Sequence, residues 1–363
     1  MRILICTQIM DRKDSALGFF QKWVASFAPH FEHVEVICLK EGEHSMPSNV
    51  QVSSLGKEKL FQDTLAKNST QTRFGTFLQR IRYSINFYKI IWQERNNYDA
   101  VFVHMNQEYV LLGGLIWKLL GKKISMWRNH YDGSMLTDIA VMFCDKVFCT
   151  SKYSYTARFK KTIFMPVGVD EDSAHLDEYI ERIPHSILFL GRLDTAKRPE
   201  VLIDALGILL KRGVSFTATF VGGPSKKDSD YPKKLQTQVE RLGISEQVKF
   251  VGAVPNTETY KYYRSHEVFI NCSRSGMFDK TIFKAVVCGC FVLVTSRDFF
   301  ELAGEDYIFE ENNSEELAEK LQSFLGASSI ERGRLLGVLK KCVKQHNLPS
   351  LVEKVVPEIK SMI

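Results

Sequence analysis

No apolar run in this chain reaches the roughly 18 residues that a membrane-spanning helix needs, so insertion into a bilayer is not expected. Charge of one sign is also scarce, with a formal net charge of +6 over 363 residues. A balance that mild suits phosphate-bearing ligands or an anionic surface and is too weak to argue for nucleic acid, so no nucleic-acid partner is expected. The eight cysteines form no framework. Cys6, Cys38, Cys149 and Cys272 lie in or beside apolar strand-like runs, and Cys288 and Cys290 are one residue apart, which is not a zinc-knuckle spacing. Buried free thiols in a reducing compartment are expected instead. The opening residues, Met1-Arg-Ile-Leu-Ile-Cys6, read as a strand and lack the layout of a signal peptide. These absences predict a cytoplasmic protein, soluble or peripheral at the inner face of a membrane.

Hydrophobic residues at 45% and charged residues at 25% are ordinary for a globular chain, and the length favours two domains. Short apolar runs alternate with longer helical patterns. Residues 2–7, 33–39, 100–104, 123–127, 146–150 and 162–165 read as strands; 18–27, 73–93 and 108–120 read as helices. The pattern stumbles at Met165-Pro-Val-Gly-Val-Asp-Glu-Asp172, which reads as a hinge. It then restarts, with strands over 186–191, 215–222, 248–251, 268–271 and 291–295, and helices over 199–212, 232–242, 257–264 and 315–325. Such alternation predicts an α/β protein with two doubly wound parallel sheets. The expected domains are 1–168 and 169–346, with a C-terminal helix over 347–363 reaching back across the hinge. Ligands are expected outside the carboxyl ends of the strands, in a cleft between two such domains.

Several residues fall at those strand ends. Gly18 closes a loop after the first strand that holds one glycine and is not a GxGxxG turn; it allows close approach of a ligand to the backbone. His104 and His130 each follow a strand, where an imidazole can donate to a sugar hydroxyl or a phosphate, or serve only as a structural hydrogen-bonding group. In Ile187-Leu-Phe-Leu-Gly-Arg-Leu-Asp-Thr-Ala-Lys-Arg-Pro-Glu200 a strand runs into Gly191. Arg192 and Lys197 follow, beside a helix opened by Pro199. Two cations there suit a diphosphate, while Arg198 is expected to face solvent. The stretch 273–290 has the same layout of strand, glycine-containing loop and helix start, which is an anion site.

Gly191-Arg-Leu-Asp-Thr-Ala-Lys197 resembles the Gly-Arg-Leu…Lys signature of the retaining glycosyltransferases of family 4, which have the GT-B fold of two Rossmann-like domains. Pro166-Val-Gly-Val-Asp170, Phe220-Val-Gly-Gly223, Phe250-Val-Gly-Ala-Val254 and Ala285-Val-Val-Cys-Gly-Cys290 resemble other segments of that family in order and spacing. The resemblance covers nearly the whole chain, strongly in the second half and loosely in the first. It implies transfer of a sugar from a UDP- or GDP-sugar donor to an acceptor hydroxyl of a glycan or lipid-linked acceptor, with retention, no cofactor and no essential metal. The first domain would then serve the acceptor and the second the nucleotide-sugar. His130, Arg192 and Lys197 match the family's catalytic positions, and Gly18, Arg192 and Lys197 would contact the donor.

The donor loop departs from that pattern. The family's two glutamates, with seven residues between them, fall on Gly276 and Lys284. A carboxylate accepts from ribose hydroxyls, whereas Lys has only donors. Gly276-Met-Phe-Asp-Lys280 resembles a Gly-x-Phe-Asp-Lys variant within the family, in which Asp279 would meet sugar hydroxyls and Lys280 a phosphate. Gly276, Met277, Phe278, Asp279, Lys280, Thr281 and Lys284 are thus expected around the donor. Lys284 on a solvated helix face requires a slipped register. A second reading follows from Lys284: a GT-B protein that has lost turnover and serves as a binding or scaffold subunit. A GT-B epimerase finds no carboxylate pair in suitable loops.

Residues 57–95 carry eight Lys/Arg against three Asp/Glu, with Phe74, Phe77, Leu78, Ile81, Phe87, Tyr88, Ile90 and Trp92 interleaved. Such a stretch can lie on an anionic leaflet. Ordinary helices packed on the first sheet are the favoured reading, because residues 85–92 are apolar on too many sides for a surface helix.

Overall fold

The structure, a computed structural model, describes residues 1–59, 73–171, 179–225 and 228–363. Residues 60–72 of the basic stretch, the side chain of Phe74 and Asp172 of the hinge sequence lie outside that description. The chain forms two units. One comprises Met1–Thr150, Tyr155–Met165 and Leu351–Ile363; the other comprises Ser151–Ser154 and Pro166–Ser350.

The first unit is built on a seven-stranded sheet with order β3-β2-β1-β4-β5-β6-β7. Its strands are Arg2–Met10 (β1), His33–Glu41 (β2), Val50–Ser54 (β3), Ala100–His104 (β4), Lys123–Trp127 (β5), Lys146–Cys149 (β6) and Thr162–Phe164 (β7). All neighbours pair in parallel, with Leu4 of β1 opposite both Glu35 and Val101. The central strands are buried along most of their length, since helices cover both faces. On one face the helix Phe20–Phe27 (α1) sets Trp23 edge-on to Trp127 and Phe27 edge-on to Phe102. On the other, Arg73–Gln93 (α2), Gln107–Leu119 (α3) and Met135–Phe143 (α4) bring Phe87, Trp117 and Val141 into one cluster with Val101 and Ile124. The C-terminal residues join this unit, where Lys146 Nζ donates to Glu358 Oε2 at 2.5 Å. The sequence did not announce β3, an edge strand with a polar tail, nor α4.

Helix α2 packs on the first sheet as expected, but the ground for that expectation, too many apolar sides for a surface helix, does not hold. It is one surface helix, seated through Phe87 and Ile91, yet Phe77, Leu78, Ile81, Ile85, Tyr88 and Trp92 on an adjoining side are all exposed. Being apolar on several sides did not bury it.

Glu35 of β2 is fully buried and accepts from Ser53 Oγ at 2.6 Å through one oxygen only. Burial drives its carboxyl from the usual 4.5 up to about 7, against the pull of the Ser53 bond. The folded protein therefore binds this proton more tightly than the unfolded chain, so stability falls as pH rises from about 4.5 to 7. Glu35→Gln should remove a penalty of about 3 kcal/mol at pH 8 and almost none at pH 4. Melting temperatures of both proteins across that range check it. A difference independent of pH would refute it.

The second unit holds a five-stranded parallel sheet, order β10-β9-β8-β11-β12. Its strands are Ile183–Leu190 (β8), Thr217–Val221 (β9), Val248–Gly252 (β10), His266–Asn271 (β11) and Phe291–Val294 (β12). Around them lie Pro199–Lys211 (α5), Tyr231–Arg241 (α6), Thr259–Ser265 (α7), Lys280–Val287 (α8), Arg297–Ala303 (α9), Ser314–Gly326 (α10) and Ser329–Val343 (α11); the last helix, Leu348–Lys360 (α12), belongs to the first unit from Leu351 onward. The helices α9 and α11 had no clear signal in the sequence. β8 is central, with β9 on one side and β11 on the other. The connections reverse direction between β8 and β11, so the loops leaving those two strands part and leave room for a ligand.

Candidate donor site

The loop after β8 is held by Asp194, which is 3% exposed. Its Oδ1 accepts from the Lys197 amide at 3.1 Å, and its Oδ2 faces Arg192 Nε at 3.3 Å. Arg192 itself is half exposed. The strand ends β8 and β9 approach so closely that a Cβ on Gly222, at φ +147°, would sit 1.8 Å from the Gly191 carbonyl oxygen. Only glycine allows that approach.

The loop after β11 comes to meet it. Asp279 Oδ2 accepts three bonds: from Lys197 Nζ at 2.5 Å, from Ser273 Oγ at 2.7 Å and from Asn271 Nδ2 at 3.0 Å. The Lys197–Asp279 pair is largely out of solvent, at 13% and 16% side-chain exposure. Burial works to raise the Asp279 carboxyl, but the Lys197 charge and the three hydrogen bonds outweigh it and hold it below the usual carboxylate range. The loop between is bent by Gly276 at φ +97° and Phe278 at φ +39°. A Phe in that region is strained, and its ring is held edge-on against Phe283 at 5.0 Å. Thr281 Oγ1 lies 3.5 Å from Asn271 Nδ2, and Met277 is half-buried.

Two of the candidate lysines project from α8 one turn apart. Lys280 Nζ donates to the Gly168 carbonyl at 3.0 Å. Burial, reinforced by the neighbouring Lys284 charge, pushes its ammonium well below the usual lysine range. Lys284 is 5% exposed; its Nζ donates to Asn256 Oδ1 at 3.0 Å and stands 4.8 Å from the centre of the Tyr260 ring. It is not on a solvated helix face.

Arg198 is a correction. Expected in solvent, it is 5% exposed, at φ +50° just before Pro199. Its Nε donates to the Cys272 carbonyl at 2.9 Å, and its Nη1 to Glu311 Oε2 at 3.1 Å and Asn312 Oδ1 at 3.0 Å. A guanidinium can be buried where its fork finds several acceptors at once. Asp194, Asn271, Ser273, Asn256 and Tyr260 were not singled out from the sequence. Asp194 at least stands inside the Gly-Arg-Leu-Asp motif.

The first-unit candidates are placed as follows. Gly18 lies in a turn, its amide bonded to the Asp14 carbonyl at 3.1 Å, and α1 begins two residues later than expected, at Phe20. His104 is 2% exposed and stacks on Phe20 at 3.9 Å, in keeping with a structural histidine. His130 is half-buried, its Nδ1 accepts from the Asp132 amide at 2.9 Å, and its ring stacks on Tyr131 at 4.5 Å. That bond leaves Nε2 as the nitrogen that can carry the proton.

Of the eight cysteines, six are buried and Cys288 and Cys342 are half-buried, all as free thiols. Among the described residues no helix is long and apolar enough to cross a membrane.

Comparison with known proteins matches part of the chain to a family. Residues 184–327 match the family described as Glycosyl transferases group 1. The D-inositol 3-phosphate glycosyltransferase of Frankia alni is 31% identical over 121 residues, 32% of this chain and 30% of that protein. The D-inositol 3-phosphate glycosyltransferase 2 of Catenulispora acidiphila is 33% identical over 107 residues, 28% of this chain and 25% of that protein. These alignments span about a quarter to a third of the relatives' length. Among solved structures, Anabaena Alr3699/HepE in complex with UDP and glucose superposes with a TM-score of 0.76 at 17% identity, covering 99% of this chain and 100% of that one. Trehalose-6-phosphate synthase OtsA superposes at 0.76 and 11% identity, with both chains fully covered. At such identities the likeness is one of fold, and the fold is GT-B, with a glycosyl transferases group 1 segment in the second unit.

Proposed function

We propose that the protein is a retaining glycosyltransferase of the family 4 type, which moves a sugar from a nucleotide-sugar to an acceptor hydroxyl in glycan, polysaccharide or glycolipid assembly. The observation that carries this reading is the meeting of Lys197 and Asp279 where the β8 and β11 loops part. A largely buried lysine tethered beside a strand end is preorganised to offset charge building on a leaving diphosphate. Asp279 holds it there when no phosphate is bound. Arg192, half exposed on the same loop, adds a bidentate donor. With two cations supplying that charge, transfer needs no divalent metal and proceeds in chelator. The leaving phosphate itself takes the acceptor proton, so no protein base is assigned, and His130 donates through Nε2 to the sugar or phosphate. UDP or GDP carries the sugar, and the reaction takes place in the cytoplasm.

The test is a panel of UDP- and GDP-sugars, scored for binding, donor hydrolysis and transfer, with and without chelator. Binding of at least one donor below about a millimolar, with turnover, is expected. If none binds at that level, the enzyme reading is lost. Donor binding without turnover would favour the second reading, a binding or scaffold subunit, which the lysine at position 284 keeps in play.

A further inference from the structure

The outer face of the first unit's helical layer is unlike an ordinary protein surface. On α2, Phe77, Leu78, Ile81, Ile85, Tyr88 and Trp92 are between 38% and 60% exposed. At 3.6 residues per turn they fall within one stripe about a third of the helix wide, turned to the side of the buried Phe87 and Ile91. The helices that continue the layer over the same sheet face carry more of the same: Leu115 and Leu119 of α3 are 61% and 79% exposed, and Met142 of α4 is 76% exposed. Scattered exposed apolar residues need no explanation, but six on one stripe of a helix, with more on the helices of the same layer, mark an interaction surface.

Charge identifies the occupant. The 21 residues of α2 include Arg73, Arg80, Arg82 and Lys89 and no Asp or Glu. Arg82 and Lys89 are exposed and each follows a member of the apolar stripe by one position, so they line its edge. Just past the helix, the Arg95 guanidinium stands 4.7 Å from the centre of the Trp92 ring, a pairing suited to the boundary between headgroups and acyl chains. A second copy of this chain is a poor fit, because a two-fold contact would face two copies of a helix that carries four cations and no acid.

We propose that this face, centred on α2, docks on an anionic lipid bilayer, with the stripe in the acyl boundary and Arg82 and Lys89 among the headgroups. The surface is presented by a helix already seated on the sheet through Phe87 and Ile91, so binding orders no new backbone. Docking is independent of whether the second unit transfers sugar, and its test uses no donor.

The full chain is sedimented with vesicles of phosphatidylcholine alone and with vesicles of phosphatidylcholine and phosphatidylglycerol in equal parts. Partition onto the anionic vesicles is expected to exceed that onto neutral ones by about tenfold or more and to weaken as salt is raised. Arg82→Glu/Lys89→Glu should lose most of that preference. Ile85→Ser/Trp92→Ser should lose binding to both and remove the blue shift of indole fluorescence on vesicle addition. All four side chains are exposed, so thermal melts are expected to stay near wild type. Equal partition onto both vesicle types, or unchanged binding by either variant, overturns the proposal. So does a failure to bind accompanied by a concentration-dependent dimer that Ile85→Ser/Trp92→Ser abolishes, which would assign the face to self-association.

Discussion

Lys197→Met is expected to abolish measurable nucleoside diphosphate binding and to lower the melting temperature by about 6–20 °C. The second effect follows from the structure alone. Removing one member of a largely buried ion pair leaves the other uncompensated, at a cost of up to about 3–5 kcal/mol, which for a domain of this size corresponds to that range. Asp279 would keep only Ser273 and Asn271 as donors. The pH dependence should change as well. In the wild type the Asp279 carboxyl is held below its usual range, so its contribution is fully present above the unfolded value near 4 and is lost as pH falls through the folded one. Without Lys197, burial dominates and the carboxyl rises, so the variant's deficit should shrink as the solution is acidified. Lys197→Met/Asp279→Leu separates the two roles: it should recover most of the stability and none of the binding. Full nucleoside diphosphate affinity in either variant would remove Lys197 from the donor site.

The second large effect concerns Lys284. If it had only replaced a lost ribose-binding carboxylate, Lys284→Glu would tighten donor binding and raise turnover. The structure argues for the opposite result. Lys284 is buried, donates to Asn256 and faces the Tyr260 ring, so its charge is built into the fold. A carboxylate there would oppose the negative face of the ring and meet the amide oxygen of Asn256 unless that amide turns over. Lys284→Glu is expected to lose stability and about 10-fold or more in donor affinity, while Lys284→Met, which keeps the aliphatic stem, loses affinity with a smaller fall in melting temperature. Titration of UDP and GDP against the three proteins, alongside thermal melts, reads both. A gain of turnover in Lys284→Glu would instead favour the binding or scaffold reading.

Much of the fold is legible in the sequence, for a simple reason. A strand buried on both faces must be apolar almost throughout, and β4 and β5 are found at the very residues that their runs indicate. Helix α2 likewise spans the residues its pattern marks, 73–93. What escaped are elements with little apolar contrast: β3, an edge strand ending in two serines, and α11, whose sequence alternates charge with small and apolar residues. The site is legible at its strand ends and in its motifs, because topology puts ligands there, and illegible in its pairings. Arg198 was expected in solvent, but the acceptors that bury it are 74, 113 and 114 residues away in the chain.

The sequence by itself determined two parallel α/β sheets, the positions of their strands other than β3, and the loops from which Lys197 and Asp279 come. These follow from local periodicity and from the rule that connections between parallel strands are helical. Tertiary structure alone decided that Lys197 and Asp279 neutralise each other, that Arg198 and Lys284 are buried, and which apolar side of α2 meets the sheet. Periodicity shows that a helix has apolar faces; only the surface it packs against selects one and leaves the other to solvent. A charged side chain is buried or exposed according to acceptors that folding brings from distant segments.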